Sequence, residues 1–168
     1  PELTGLGIQA NGVNTTYAAV RELFELLRLD EANIGTANWN PFGEFIAPGT
    51  SVFIKPNLVL HEMKHTVGTN CVTTHASVLR PIIDYCVLAG GKNVRITVGD
   101  VPLQSANFDE VVEDNGLRAL IEHCRTVRGI DICLLDLRPM RQDATEDFYF
   151  EKTIEQPGDP RGYSVVDL

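Results

Sequence analysis

Apolar positions recur along this chain with two different periods, and the alternation between them predicts its elements. Val20, Leu23, Phe24 and Leu27 lie at helical spacing, and Thr15 or Thr16 can cap a helix that reaches about Arg28. Residues 1–14 are rich in Gly and Asn and read as an irregular arm. The stretch Asp30–Thr50 mixes Asn, Gly and Pro with Trp39, Phe42, Phe45 and Ile46, and reads as a packed loop. Ser51-Val-Phe-Ile54 is brief, β-rich and bounded by Pro48-Gly49 and Pro56, which predicts a buried strand. Val78, Leu79, Ile82, Ile83, Cys86 and Val87 then trace one face of a helix. Pro81 fits only in or near its first turn, so the helix should begin late, capped by Thr74 or Ser77, and end at Gly90-Gly91. Asn93–Val98 is a second strand, closed by Gly99-Asp100. Phe108–Asp114 is one or two helical turns stopped at Asn115-Gly116. Leu117, Leu120, Ile121 and Cys124 mark another helix, and Ile130–Leu135 is a third strand.

Strand, helix, strand, helix, strand at these spacings implies right-handed parallel crossovers. The expected fold class is therefore α/β: a three-layer sandwich with a mainly parallel sheet, whose βαβαβ core spans residues 52–136. Phe148–Ile154 and Tyr163–Leu168, separated by Pro157-Gly158-Asp159-Pro160, add a carboxyl-terminal extended pair or hairpin. A chain of 168 residues suits a single domain. At that size it buries roughly 70% of the surface its unfolded form exposes, and needs no disulfide or metal to hold a core. The apolar run Tyr163–Leu168 has no polar tail after it. The expectation is the amino-terminal part of a longer protein, with an exposed edge or patch through which it forms a homodimer.

Composition narrows the classes of function. With 43% hydrophobic and 22% charged residues, the chain has neither a disordered nor a membrane profile. A net charge of −9, with Lys and Arg scattered singly, argues against nucleic acid as a partner. None of Cys71, Cys86, Cys124 and Cys133 belongs to a C-x-x-C pair, so zinc-ribbon and iron–sulfur spacings are absent. Cys86, Cys124 and Cys133 read as small buried hydrophobes, and only Cys71 sits in a polar loop. No basic-then-apolar leader pattern opens the sequence, and no apolar run reaches the roughly 18 residues of a membrane helix. The expected location is cytoplasmic.

Ligands of open α/β sheets bind beyond the carboxyl ends of the parallel strands. That rule selects Lys55 and Asn57 after the first strand, Asp100 and Gln104 after the second, Asp136 and Arg138 after the third, and Thr73, Thr74 and His75 at the start of the returning helix. Lys55 is pinned between a buried strand and Pro56. Desolvated, it would serve as a base or nucleophile; charged, it would anchor a carboxylate or phosphate; as a plain surface lysine it would pair with Asp100. His75 is a candidate proton shuttle or simply a capping histidine. Asp100 is a candidate acid or metal partner, or a turn former. The expected catalytic set is Lys55, His75 and Asp100, with Asn57, Thr74 and Gln104 binding substrate.

His61-Glu62-Met63-Lys64-His65 spells H-E-x-x-H, which on a helix would bind zinc with Glu62 as base. Its context is wrong. The segment follows a strand directly, ends in Val67-Gly68-Thr69-Asn70, and carries Cys71 where the longer pattern needs a third histidine. No structural metal is expected there.

Several blocks resemble one family. Val52-Phe-Ile-Lys-Pro-Asn-Leu-Val59, Thr74-His75 with Ile83-Asp84-Tyr85, Val98-Gly99-Asp100-Val-Pro-Leu-Gln-Ser105, and the stretch from Pro157 to Leu168 are similar in order and character to the domain of unknown function 362 family. The resemblance runs from about Ser51 to Leu168 and implies no established activity. It also implies longer relatives, whose later half carries a lysine–threonine–histidine segment missing here. A looser likeness is to the amino-terminal domain of nickel-dependent lactate racemases.

The reading that follows is an uncharacterised α/β domain acting on a small anionic or hydroxylated metabolite at the strand ends, as the amino-terminal half of an enzyme. One alternative is a non-catalytic binding or assembly domain in which the same residues form a buried polar network. The other is a zinc protein through His61 and His65. The residues name no cofactor, and neither nucleic acid nor membrane is expected as a partner.

Overall fold

A computed structural model describes residues 2–6, 14–61, 71–144 and 150–164. Helix α1 (Thr15–Leu26) is opened by Asn14 rather than by a threonine: the Asn14 side chain accepts from the Tyr17 N–H at 3.0 Å. Strand β1 (Ser51–Ile54) leads to helix α2 (Ala76–Gly90), whose cap is His75. Pro81 therefore falls in the second turn, deeper than expected. Its missing N–H deprives the half-exposed Ser77 carbonyl of its helical donor, a loss that water can offset this close to a helix start. Gly91 ends α2 with φ of 69°, a left-handed value that few other residues adopt cheaply. Strand β2 (Arg95–Asp100), helix α3 (Phe108–Asp114), helix α4 (Leu117–Thr126) and strand β3 (Asp131–Asp136) follow.

These strands form one parallel sheet in the order β1-β2-β3, so the chain has the expected α/β fold. Both crossovers step in one direction, and successive right-handed crossovers of that kind put their helices on one face. The core agrees. Ile96, Val98 and Ile132 from the sheet are buried with Leu79, Ile83 and Cys86 of α2 and Leu117, Leu120, Ile121 and Cys124 of α4. Each large aliphatic in this layer contributes about 1.5–3 kcal/mol by leaving water. The far side of α2 packs on α1 and the loop after it, through Tyr85, Phe24 and the fully buried Trp39. The three layers are thus the sheet, then α2 with α4, then α1. On the sheet's other face Phe53 and Cys133 are exposed. Cys133 was expected inside. Strand alternation points it away from the helices, where it lies 3.5 Å from the Thr97 hydroxyl.

The carboxyl-terminal pair is antiparallel, as expected, but its members differ. Strand β5 (Phe150–Glu155) pairs with β4 (Met140–Ala144) instead of with the run from Tyr163. Met-Arg-Gln-Asp-Ala lacks the alternation that advertises a strand, so periodicity passed over it. Leu168, on which the expectation of an open edge and a homodimer rests, lies outside the described residues. Among the described residues, no helix is long and apolar enough to cross a membrane.

Two buried ionic clusters tie the layers together. Asp84 on α2 has no solvent exposure and binds Arg128, Arg80 Nε at 2.9 Å and the Tyr17 hydroxyl at 3.1 Å. Burial, then the Asp84 charge, pushes the Tyr17 phenol well above its ordinary range, so it stays a donor. Glu2 accepts from Arg21 Nε at 2.9 Å and from the buried Tyr85 hydroxyl at 2.7 Å. Burial raises the Glu2 carboxyl, but the hydrogen bonds from Arg21, its own backbone and Tyr85 prevail, taking it from 4.5 to about 2.

Two outcomes follow. Replacing Asp84 with Ala strands Arg128 without its carboxylate and should cost about 3–5 kcal/mol in urea unfolding; a loss below 1 kcal/mol would mean that solvent, rather than Asp84, satisfies the arginines. Glu2 stabilises the fold fully above pH 4.5, and that contribution is lost as pH falls toward about 2. Unfolding free energies measured across this window should drop less steeply in Glu2→Gln than in the parent; equal slopes would remove Glu2 from the acid transition.

Candidate functional site

Strands β2 and β3 run in register to their last residues, so Asp100 stands opposite Asp136. Like charges in that relation repel. Each carboxylate is matched separately. Lys55, just past β1, puts its ammonium 2.8 Å from Asp100 Oδ1. Arg138, just past β3, donates Nε to both oxygens of Asp136 at 3.0 and 3.1 Å, and Nη2 to Oδ2 at 2.6 Å.

The two pairs differ in exposure. The Asp100 side chain is 6% exposed and its Lys55 partner 58%. Asp100 is fixed from the protein side: its Oδ2 accepts the Leu58 N–H at 2.7 Å, and its carbonyl accepts the Leu137 N–H at 2.9 Å. Lys55 keeps a looser contact with Asn57 Oδ1 at 3.5 Å. Arg138, in contrast, is buried to 1%. Its Nη1 donates to the carbonyls of Leu103 at 2.7 Å, Ala106 at 2.9 Å and Gln104 at 3.2 Å. It organises the loop after β2 and has little left for a ligand.

The loop after β1 and the start of α2 are laced together. Thr74 donates its N–H to the Asn57 carbonyl at 2.8 Å, and its hydroxyl accepts the Asn57 N–H at 3.1 Å. Asn115, between α3 and α4, donates to the Thr74 carbonyl at 3.1 Å and accepts the Ala76 N–H through its own carbonyl at 2.9 Å. The structure thus brings together Lys55, Asn57, Thr74 and Asp100. His75 lies next along the chain, exposed, with Nδ1 accepting the Ser77 N–H at 3.1 Å. Gln104 sits apart, on the β3 side. Its carbonyl accepts the Gln142 N–H at 2.9 Å, while its side-chain Oε1 is buried without a hydrogen-bond partner.

A cavity of about 720 Å³ opens beside the Asp136–Arg138 pair, within the range of small-ligand sites. His61, Asn107, Glu110 and Arg141 also line it. His61 Nδ1 accepts the Asn107 N–H at 3.1 Å, and its Nε2 is 3.8 Å from Glu110. Selecting residues by strand ends alone placed His61 only in the zinc pattern. Its link to Asn107 joins loops far apart in sequence, and no local spacing encodes that. Among the described residues, no group of three or more His, Cys, Asp or Glu side chains could hold a metal. Glu62 and His65 lie outside them.

The fold and the strand-end site define an α/β domain with one ion pair, Lys55–Asp100, across adjacent parallel strands and a second, Asp136–Arg138, at the end of β3. A family model described as Domain of unknown function (DUF362) matches residues 52–154, and the chain belongs to this family. The match spans all six expected site residues. No curated protein and no solved structure matches the chain.

Asp100 holds its neighbourhood through two oxygens, which separate by substitution. Asp100→Asn keeps an acceptor for Leu58 N–H and should lose about 1 kcal/mol, whereas Asp100→Ala should lose about 2–3 kcal/mol. Denaturant unfolding of both variants checks this; equal losses would mean that the Leu58 contact carries nothing.

Proposed function

We propose that this domain binds a small anionic or hydroxylated metabolite at the carboxyl ends of β1 and β2, as the substrate-holding part of an enzyme. One observation carries the reading: Lys55, 58% exposed, is held by a carboxylate that is 6% exposed and anchored to backbone. A buried acid that positions an accessible cation fits an anchor for a carboxylate or phosphate. It fits a lysine base less well, because a base needs the burial that Lys55 lacks. An ammonium has three donors, and Asp100 and Asn57 engage two of them. Asn57 and Thr74 supply further polar atoms nearby. His75 engages Nδ1 with Ser77, so Nε2 is the atom left to move a proton. The four free thiols fit a cytoplasmic setting, and burial pushes that of Cys86 up to about 12, which keeps it inert.

Ligand-detected NMR with a panel of small hydroxy acids and polyols, beginning with glycerate and glycerol, tests this. At least one hydroxy acid should bind saturably, and Lys55→Gln should weaken it about tenfold, the value of one charge-assisted contact. A panel without a binder, or one whose binding ignores Lys55→Gln, would sink the proposal.

A further inference from the structure

The opposite end of the sheet holds a second arrangement with different chemistry. Asp84 leaves both of its arginines with donors to spare. Arg80 binds it through Nε and Arg128 through Nη1, and a guanidinium has five N–H bonds. Both arginines line a cavity of about 730 Å³ beneath the amino ends of β2 and β3, where α2 and α4 terminate. Lys92 and His123 add to its polar lining, and among the described residues no carboxylate belongs to it. Among the described residues the lining carries three permanent cations, two of them held by the fully buried Asp84, in a chain of net charge −9. The remaining wall is apolar: Val87 and Val94 are buried, Ile130 is half-buried, and Val127 stands 70% exposed beside them.

Helix ends attract cations of their own accord, because the macrodipole is negative there. That accounts for Lys92 and His123. It does not account for Arg80, which belongs to the first half of α2, nor for an apolar wall facing the same space. We propose that this cavity binds a small amphiphilic anion. Its carboxylate or phosphate group meets Arg80, Lys92 and Arg128, and its apolar body lies on Val87, Val94 and Ile130. Asp84 is the positioning residue: it fixes the two guanidiniums without entering the cavity lining. The site is independent of the one at Lys55.

Phenyl phosphate is the probe, measured by titration calorimetry on the whole chain, with inorganic phosphate and benzyl alcohol as comparisons. Lys92→Gln and Val127→Asp alter exposed side chains and spare the Asp84 cluster, and circular dichroism verifies that both fold. Phenyl phosphate should bind saturably and at least about fivefold more tightly than inorganic phosphate or benzyl alcohol. Lys92→Gln and Val127→Asp should each weaken it about threefold or more, and Lys55→Gln should leave it unchanged. The absence of saturable binding overturns the proposal. So does inorganic phosphate binding as tightly, which would mean that the apolar wall is idle. Loss of binding in Lys55→Gln with retention in Lys92→Gln also overturns it, and credits the strand-end site instead.

Discussion

Two carboxylates end adjacent parallel strands in register, and the carboxyl edge of this sheet is arranged around the cation that each one holds. The register of β2 and β3 fixes the backbones of Asp100 and Asp136 side by side. Each therefore needs its own cation, and the cations come from different loops. Arg138 is spent inward, on Asp136 and three carbonyls, and so shapes the loop that follows β2. Lys55 is spent outward, half in solvent, over a buried acid. One electrostatic problem thus has two solutions. One is structural, and the other leaves a charge where a ligand can reach it.

Much of this was legible in the sequence, for identifiable reasons. The three parallel strands announced themselves as short apolar runs between Gly and Pro, and their parallel direction followed from the intervening helices. The pairing of Lys55 with Asp100 follows from parallel neighbours delivering both residues to one edge. Other features have no local signature. Asn14 caps α1 although Thr15 and Thr16 are also capping residues, and backbone geometry decides which side chain meets the orphan N–H. Strand β4 pairs through backbone while its side chains carry charge and amide groups, so no periodicity marks it. Asp84 reads as one acid in an apolar helix. Its partners Tyr17 and Arg128 come from α1 and from the end of α4, and only the tertiary fold brings them together.

Asp84 and Arg138 illustrate one rule at opposite ends of the sheet. A fully buried charge is tolerated when every lone pair or N–H has a partner, and its removal leaves the partner stranded. At the carboxyl end the buried cation consumes its donors, and the accessible charge belongs to Lys55. At the amino end the buried anion consumes its acceptors, and the accessible charges belong to the arginines around it. Buried Asp100 holds Lys55 at one end, and buried Asp84 holds the less exposed Arg80 and Arg128 at the other. A domain that is acidic overall thereby presents positive charge at two places.

Those places are far enough apart to act separately. A six-residue strand such as β2 spans about 20 Å, and charges in solvent at physiological salt are screened over about 8 Å. Direct electrostatic coupling between the two ends is therefore weak. Coupling through the fold has one evident route, helix α2. Thr74, just before its cap, is bound to Asn57, and Asp84 further along holds Arg80 and Arg128. A packed helix moves as a body rather than bending continuously. The Asp84 cluster and the start of the helix are thus positioned by one packed element, while Lys55 is held by Asp100 on the sheet.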